Sequence, residues 1–462
     1  MSALALALVL AATPPRYGGE LRVLAPATAL DAERVDPASA RSPLERTLAR
    51  TLCEPIYRLD ATGALQPAQA ELPEVDARSR TLTVHLRQGP VHGRDLTALF
   101  TALAVPGNPY RALTVPLSGS GMLRADGELA LALRFPYPDW ARGLSDVGTC
   151  PLAAGHRASQ PGAQSGPFTL SQRLVVPAVR LAANETCPAG RPFAEKLSLR
   201  TASAKTAART LAAGEAELSL VTGGDAHLDG PLAVASYFVV NPARPLAGLA
   251  ALVSQGIDRA ELVRTFVHGP AAPLSGLLAP SVDPQPAASV APAASTVPLR
   301  VNIVAELLVD GSGEGRAVAE RLQVKLHDLG VSLRVLAVPR REFEQRLGAG
   351  QFDAALVGLP ALPDAGLNLA QVLLLVMPLE AVQQELAAIG AIADPAARRE
   401  RARSRALELL PSLPVVPLYA QGLGVSVGQG VRGFRFEASG TVDLGALWLE
   451  APESRSATQG TP

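Results

Sequence analysis

Few residues in this chain have the type and spacing for covalent chemistry. Gly424, Ser426 and Gly428 match the G-x-S-x-G spacing that lifts a serine hydroxyl onto a sharp strand-to-helix turn, where a later acid and His would make it a nucleophile. The surrounding GVSVGQGV reads as strand and turn with no helix behind it, and no His follows His327, so the hydrolase pattern is incomplete. Metal chemistry lacks its spacing as well: His85, His92, His156, His227, His268 and His327 never fall three or four apart, the interval that sets two imidazoles on one helix face. His92 reads as a structural hydrogen-bonding residue. A nickel complex held through one His and arginine side chains needs no such interval and stays open. Gly311, Gly313 and Gly315 precede a helix and offer backbone N–H groups to an anion, but the Lys-Ser/Thr of a phosphate loop is missing, so the segment reads as the run-in to a helix. A binding protein without a cofactor, not an enzyme, is the expectation.

The chain has three cysteines. Cys150 and Cys187 flank one expected strand in the matched settings GTCPL and NETCPAG, and an oxidising compartment would let them pair. Closing that loop would contribute roughly 3 to 4 kcal/mol by chain entropy. Two unpaired buried thiols are the alternative, and Cys53 is left for core packing.

The elements that position such residues are legible in the hydrophobic periodicity. TLTVHLR sets Leu82, Val84 and Leu86 on one face, and ELALALRF does the same with Leu129, Leu131, Leu133 and Phe135, the alternation of half-buried strands. Later the period becomes helical, with Val318, Leu322, Leu326 and Leu329 on one stripe and Leu379, Val382, Leu386 and Ile389 on another. Asp258 with Glu261 opens one helix, for which Gly269 suits the end, and Asp394-Pro395 opens a second. Leu367 to Leu379 reads as a buried helix, too short to span a membrane. Ser281 to Pro298, rich in Pro, Ala and Ser, reads as a surface linker, and APESRSATQGTP at 451–462 as a frayed tail.

At 462 residues the chain is too long for one compact core, so two or three lobes are expected. Lys+Arg and Asp+Glu both number 42, which leaves no net field for polyphosphate and makes nucleic acid an improbable partner. Only Lys196, Lys205 and Lys325 are lysines; the other basic residues are Arg. Met1 to Ala12 (MSALALALVLAA) has the length of a signal-peptide core, though without a preceding positive charge, so residues 1–16 are expected to be an export signal. No Cys follows it to carry a lipid anchor, and a free periplasmic monomer is the expectation.

The order of local patterns resembles the bacterial extracellular solute-binding family that captures oligopeptides, dipeptides and nickel for ABC importers. YGGELRVLAP is similar to its opening strand, TLCEPIYRLDATGALQPAQAEL to its Glu-Pro-Leu, Asp-x-x-Gly and Pro-x-Leu-Ala run, and TLTVHLRQGPVHGRDLTA to its Leu-Arg-x-Gly signature with His92 and Gly93 near the matching His and Gly. SGPFTL, RLAANETCPAGRPFAEKLSLR, AARTLAAGEAEL, YFVVN, RLQVKLHDLGVSLRV, GQFDAALVG, LPVVPLY and GFRFEASGTVDLGALWLE continue that order across nearly the whole chain.

The resemblance implies an α/β, two-lobed periplasmic-binding-protein-like fold of type II. Lobe I is expected over 17–240 and 415–450 with an inserted subdomain at about 60–145, and lobe II over 241–414. Two strands, at Tyr237–Asn241 and Pro414–Tyr419, are expected to cross between them. The implied function is capture of a small, peptide-like solute for a membrane ABC permease; a shell kept for structure or signalling, or a nickel-complex binder, is the alternative. Relatives that bind peptides anchor the ligand's amine on an Asp shortly after a Trp. Here FDAALVGLPALPDAGLN puts Leu359 at the Trp position and Leu362 at the Asp position, and Pro360 and Pro363 remove donors that an added peptide strand would use. Asp364 could replace the anchor or serve as a plain helix cap. Leu359, Leu362 and Asp364, with Tyr419 at the crossing and Arg340 as a carboxylate partner, are the expected ligand-binding residues.

Overall fold

The computed structural model describes residues 15–26, 36–60, 62–76, 80–87, 91–124, 128–152, 164–170, 178–221, 228–244, 246, 248–284, 302–311 and 314–450. The export run at 1–12, most of the Pro/Ala linker, the tail at 451–462, His156, His227 and Gly313 lie outside the described residues.

Two sheets organise the chain. The first has seven strands in the order Leu228–Asp229, Gly424–Val427, Leu218–Ser219, Glu20–Ala25, Lys196–Thr201, Ala178–Ala183 and Phe168–Leu170. Glu20–Ala25 runs parallel to both of its neighbours and the outer pairs are antiparallel. The second sheet has six strands in the order Ala271–Pro273, Val415–Gln421, Val234–Val240, Ala354–Pro360, Ile303–Asp310 and Val331–Val338. Its parallel pair Ile303–Asp310 and Val331–Val338 is joined through the helix Glu314–His327. The expected stripe seats that helix: Val318, Leu322 and Leu326 are fully buried, each stabilising by about 1.5–3 kcal/mol.

Val234–Val240 and Val415–Gln421 pair with each other and lie wholly in the second sheet. The lobes therefore divide at Gly230–Ala233 and at Gly422–Leu423, not at 240 and 414 as the sequence had it. At that junction the Gly230 N–H donates to the Leu423 carbonyl at 2.9 Å. A Cβ on Gly422 would stand 2.7 Å from the carbonyl oxygens of Gly230 and Pro231, so only glycine lets the two backbones run this close.

Between Leu59 and Val147, where an inserted subdomain was expected, lie a four-stranded sheet (Glu74–Val75, Thr81–Val84, Leu129–Ala132, Met122–Leu123) and the helix Gly93–Leu103. Both expected strands are present, and they pair antiparallel with Leu82 opposite Leu131 and Val84 opposite Leu129. This subdomain docks on lobe II through a continuous apolar core that joins Leu113, Tyr137 and Trp140 to Leu362, Leu367 and Ile389. Polar bonds pin the same contact: Gln371 Nε2 donates to the Pro109 carbonyl at 2.7 Å, and Arg398 pairs with Asp139.

The buried helix expected at Leu367–Leu379 is shorter and earlier, Ala365–Leu373, and its polar residues are satisfied internally. Asn368 accepts from the Ala279 N–H at 3.2 Å and donates to Gln371 at 3.3 Å. Helices starting after Asp258 and Asp394 are capped by those side chains as the sequence indicated, and Gly269, at φ 92°, closes the turn that follows Phe266. The linker begins as packed chain: Val282 leans on the core and Asp283 pairs with Arg403 at 3.2 Å.

The expected cysteine pairing is corrected. Cys53 bonds to Cys150, with Cα atoms 5.9 Å apart, and Cys187 is a buried free thiol pushed up to about 11 by desolvation. The cause is the buried helix Pro43–Leu52, which packs on the 3-10 turn Val147–Thr149; each ends in a cysteine, at its C-cap. Among the described residues no helix is long and apolar enough to cross a membrane.

Candidate functional site

The helix Pro43–Leu52 carries the site's charges because almost every residue on it is buried, including Glu45, Arg46 and Arg50. Ser42 caps it in a reciprocal box with Glu45, which frees one edge of the Glu45 carboxylate to face lobe II. Arg340 of lobe II reaches that carboxylate at 3.1 Å, holds Asp310 at 2.5 Å and donates to the Ser39 carbonyl at 2.8 Å. Arg41 answers from lobe I, bonding Glu344 and the Gly358 carbonyl, each at 3.2 Å. Burial works against the charge of both arginines; Glu45 and Asp310 outweigh it at Arg340, which is raised, whereas at Arg41 burial wins and the guanidinium is lowered. Burial likewise pushes the Glu344 carboxyl up. The four residues latch the lobes together.

Among the described residues two sizeable cavities lie between the lobes. The larger, about 640 Å³, is walled on lobe I by Arg50, Arg58, Arg142 and the Arg435–Ser439 loop, and on lobe II by Ser281, Ala361–Gly366 and Arg398. Its base is an ion-pair chain: Arg50 Nη1 and Arg58 Nε each lie 2.5 Å from the fully buried Glu54, and Arg58 reaches Asp443 at 3.3 Å. Burial alone would raise the Asp443 carboxyl, but Arg50 and Arg58 hold it below the usual range. Beside them Arg46 and Asp146 make a fully buried pair at 2.5 Å. The second cavity, about 500 Å³, is bounded by Arg41, Glu45 and Arg340 of the latch and by Tyr419, Glu314 and Gln421. Glu314 accepts from the His268 N–H at 3.0 Å and from Gln421 Nε2 at 2.8 Å, and its burial pushes the carboxyl up.

The expected ligand residues are divided by this arrangement. Leu362 and Asp364 line the larger cavity. Tyr419 and Arg340 line the second, where burial pushes the Tyr419 phenol up to about 12. Leu359 faces neither, lining a recess of about 70 Å³ with Arg41 and Gln371. Asp364 takes the helix-cap role, accepting from the Leu367 N–H at 2.9 Å and from the Tyr137 hydroxyl. Arg340 is bound within the latch. Missed from sequence were Arg50, Arg58, Arg142, Arg398 and the Arg435–Ser439 loop. One signal was present: Arg50, Glu54 and Arg58 recur every four residues, the interval at which opposite charges meet.

The serine of the G-x-S-x-G run is in a strand, with Ser426 opposite Ser219, so the turn a nucleophile needs is absent there. His92 stands at the N-cap of Gly93–Leu103, its N–H donating to Asp95 at 2.8 Å. Among the described residues no group of three His, Cys, Asp or Glu is placed to hold a metal ion.

No protein-family profile matches the chain, and no curated protein does. Solved structures do. The periplasmic binding protein DppA of Helicobacter pylori, in complex with the peptide STSA, superposes with TM-score 0.71 at 15% identity, over 94% of this chain and 99% of that one. The binding protein AgaA of Agrobacterium tumefaciens R10 with agropinic acid gives 0.71 at 16%, over 94% and 99%. The murein tripeptide binding protein MppA of Escherichia coli gives 0.67 at 15%, over 95% and 100%, and its unliganded open form 0.59. The chain thus has the two-lobed fold of periplasmic solute-binding proteins.

Proposed function

We propose that this protein is the periplasmic solute-binding component of an ABC importer, a divergent member of the extracellular family that its sequence resembles. It holds a small, peptide-like solute between its lobes and hands it, unaltered, to a membrane permease. The observation that carries this reading is the larger cavity, walled from both lobes. Its volume, about 640 Å³, is within the range of small-molecule sites. Its lobe II wall is the Ala361–Gly366 segment, where the family resemblance puts the ligand. Neighbours of the same fold are described in complex with peptides or with agropinic acid, which supports a peptide-like or similarly small polar solute. Closure around a ligand gives a permease a distinct shape to recognise.

A second reading, a shell that has kept its form without import, is favoured by the latch and by the apolar core that joins the inserted subdomain to lobe II. Native mass spectrometry of protein purified from an exporting host separates the two. Import predicts a non-covalently held solute, lost when Ala438→Trp, on the exposed loop of the wall, fills the cavity. A bare chain mass, unchanged after soaking in a metabolite extract, favours the empty shell.

A further inference from the structure

We infer that the solute in the larger cavity is an organic anion, gripped through its carboxylate oxygens and needing no ammonium group; this rests on the capture reading above. The inference comes from an imbalance of hydrogen-bonding capacity in the cavity wall. Every carboxylate in it already has a protein partner. Asp139 is held by Arg398 and Asp146 by Arg46. Glu437 accepts from Thr441 and lies 3.8 Å from Arg50 Nε. Asp60 accepts from Thr62 and Gln66, and Asp364 from Tyr137 and the Leu367 N–H.

The donors are in surplus. Arg142, on the wall, and Arg399 and Arg435, on the exposed rim, form no ion pair among the described residues. Three buried donor atoms of the wall, Arg50 Nη2, Arg142 Nε and Ser281 Oγ, have no hydrogen-bond partner among the described residues. Arg50 is 2% exposed, so bulk water reaches it poorly. A wall of satisfied carboxylates and unsatisfied N–H and O–H groups selects a guest that brings acceptors. Planar guanidinium groups match a carboxylate in two-point geometry, which favours that group over a neutral carbonyl. An entering ammonium would meet an Asp364 carboxylate already accepting from Tyr137 and the Leu367 N–H.

Calorimetric titration of the full chain with three matched probes tests this: alanyl-glutamate, its N-acetyl form, and alanyl-glutamine amide, which keeps the amine and lacks both carboxylates. The expected order puts the N-acetyl form level with or above alanyl-glutamate, and the amide at least tenfold weaker. Arg142→Gln, or the rim pair Arg399→Gln with Arg435→Gln should the first fail to fold, is expected to weaken the N-acetyl form at least tenfold and leave the amide unmoved. A tenfold loss on N-acetylation, or an amide that binds as well as the acid, overturns the inference. So does silence from all three probes at millimolar concentration. If a co-purified solute is still found in that last case, solute capture stands and only its anionic character falls.

Discussion

Asp364 shows how one carboxylate can serve the fold in a position that resembles a ligand anchor. Its carboxyl is pushed up by burial, against the bonds from Tyr137 and Leu367 that favour its ionised form. A raised folded-state pKa contributes stability that is complete below the unfolded value, about 3.9, and is lost as pH rises through the folded value. Asp364→Asn keeps a neutral acceptor for the cap, so relative to wild type it is expected to gain stability between pH 4 and pH 8 in urea titrations. Asp364→Ala removes the cap and leaves the Tyr137 hydroxyl without its acceptor, a loss of about 1–3 kcal/mol at either pH. The cysteines make a second residue-scale case. Cys53→Ala with Cys150→Ala is expected to lower unfolding free energy by about 2–5 kcal/mol, and to abolish the effect of reductant on the urea midpoint. The sequence offered the cap at Asp364 but not the disulfide, because 97 residues separate the two cysteines and only the packing of a buried helix on a 3-10 turn joins them.

Among the elements, the helix Pro43–Leu52 decides whether the lobes stay together. Glu45 is held within its own helix cap and also receives Arg340 from lobe II, at 3% and 8% exposure. Glu45→Gln leaves the Arg340 guanidinium buried with one carboxylate fewer, a cost of about 3 kcal/mol. Combined with Glu344→Gln it is expected to open the lobes, seen in solution scattering as a larger radius of gyration that ligand reverses. An unchanged scattering curve would mean that the apolar contact around Trp140 and Leu367 alone sets the arrangement. The helices and strands were largely legible beforehand. Val318, Leu322 and Leu326 pointed inward because a 3.6-residue period fixes one face, and the alternation at Leu82–Val84 and Leu129–Leu131 marked two half-buried strands, though not that they pair. The latch was not legible, since Arg340 and Glu45 stand 295 residues apart and nothing local to either marks the other.

For the molecule as a whole, the fold was readable from the order of many weak patterns, while the site was readable only where it lies on one continuous segment, Ala361–Gly366. The rest of the cavity is assembled from arginines on lobe I and on the last helix of lobe II, and a chain whose basic residues are almost all arginine gives no local sign of which ones converge. That is also why Tyr419 and Arg340, expected beside Leu362, line a different space. A crystal structure of protein purified from an exporting host would show whether the larger cavity holds the cargo. Density is expected for a small solute between Arg142 and the Ala361–Gly366 segment, enclosed by both lobes. An empty, water-filled cavity there, or a solute seated instead against Tyr419 and Glu314, would contradict it.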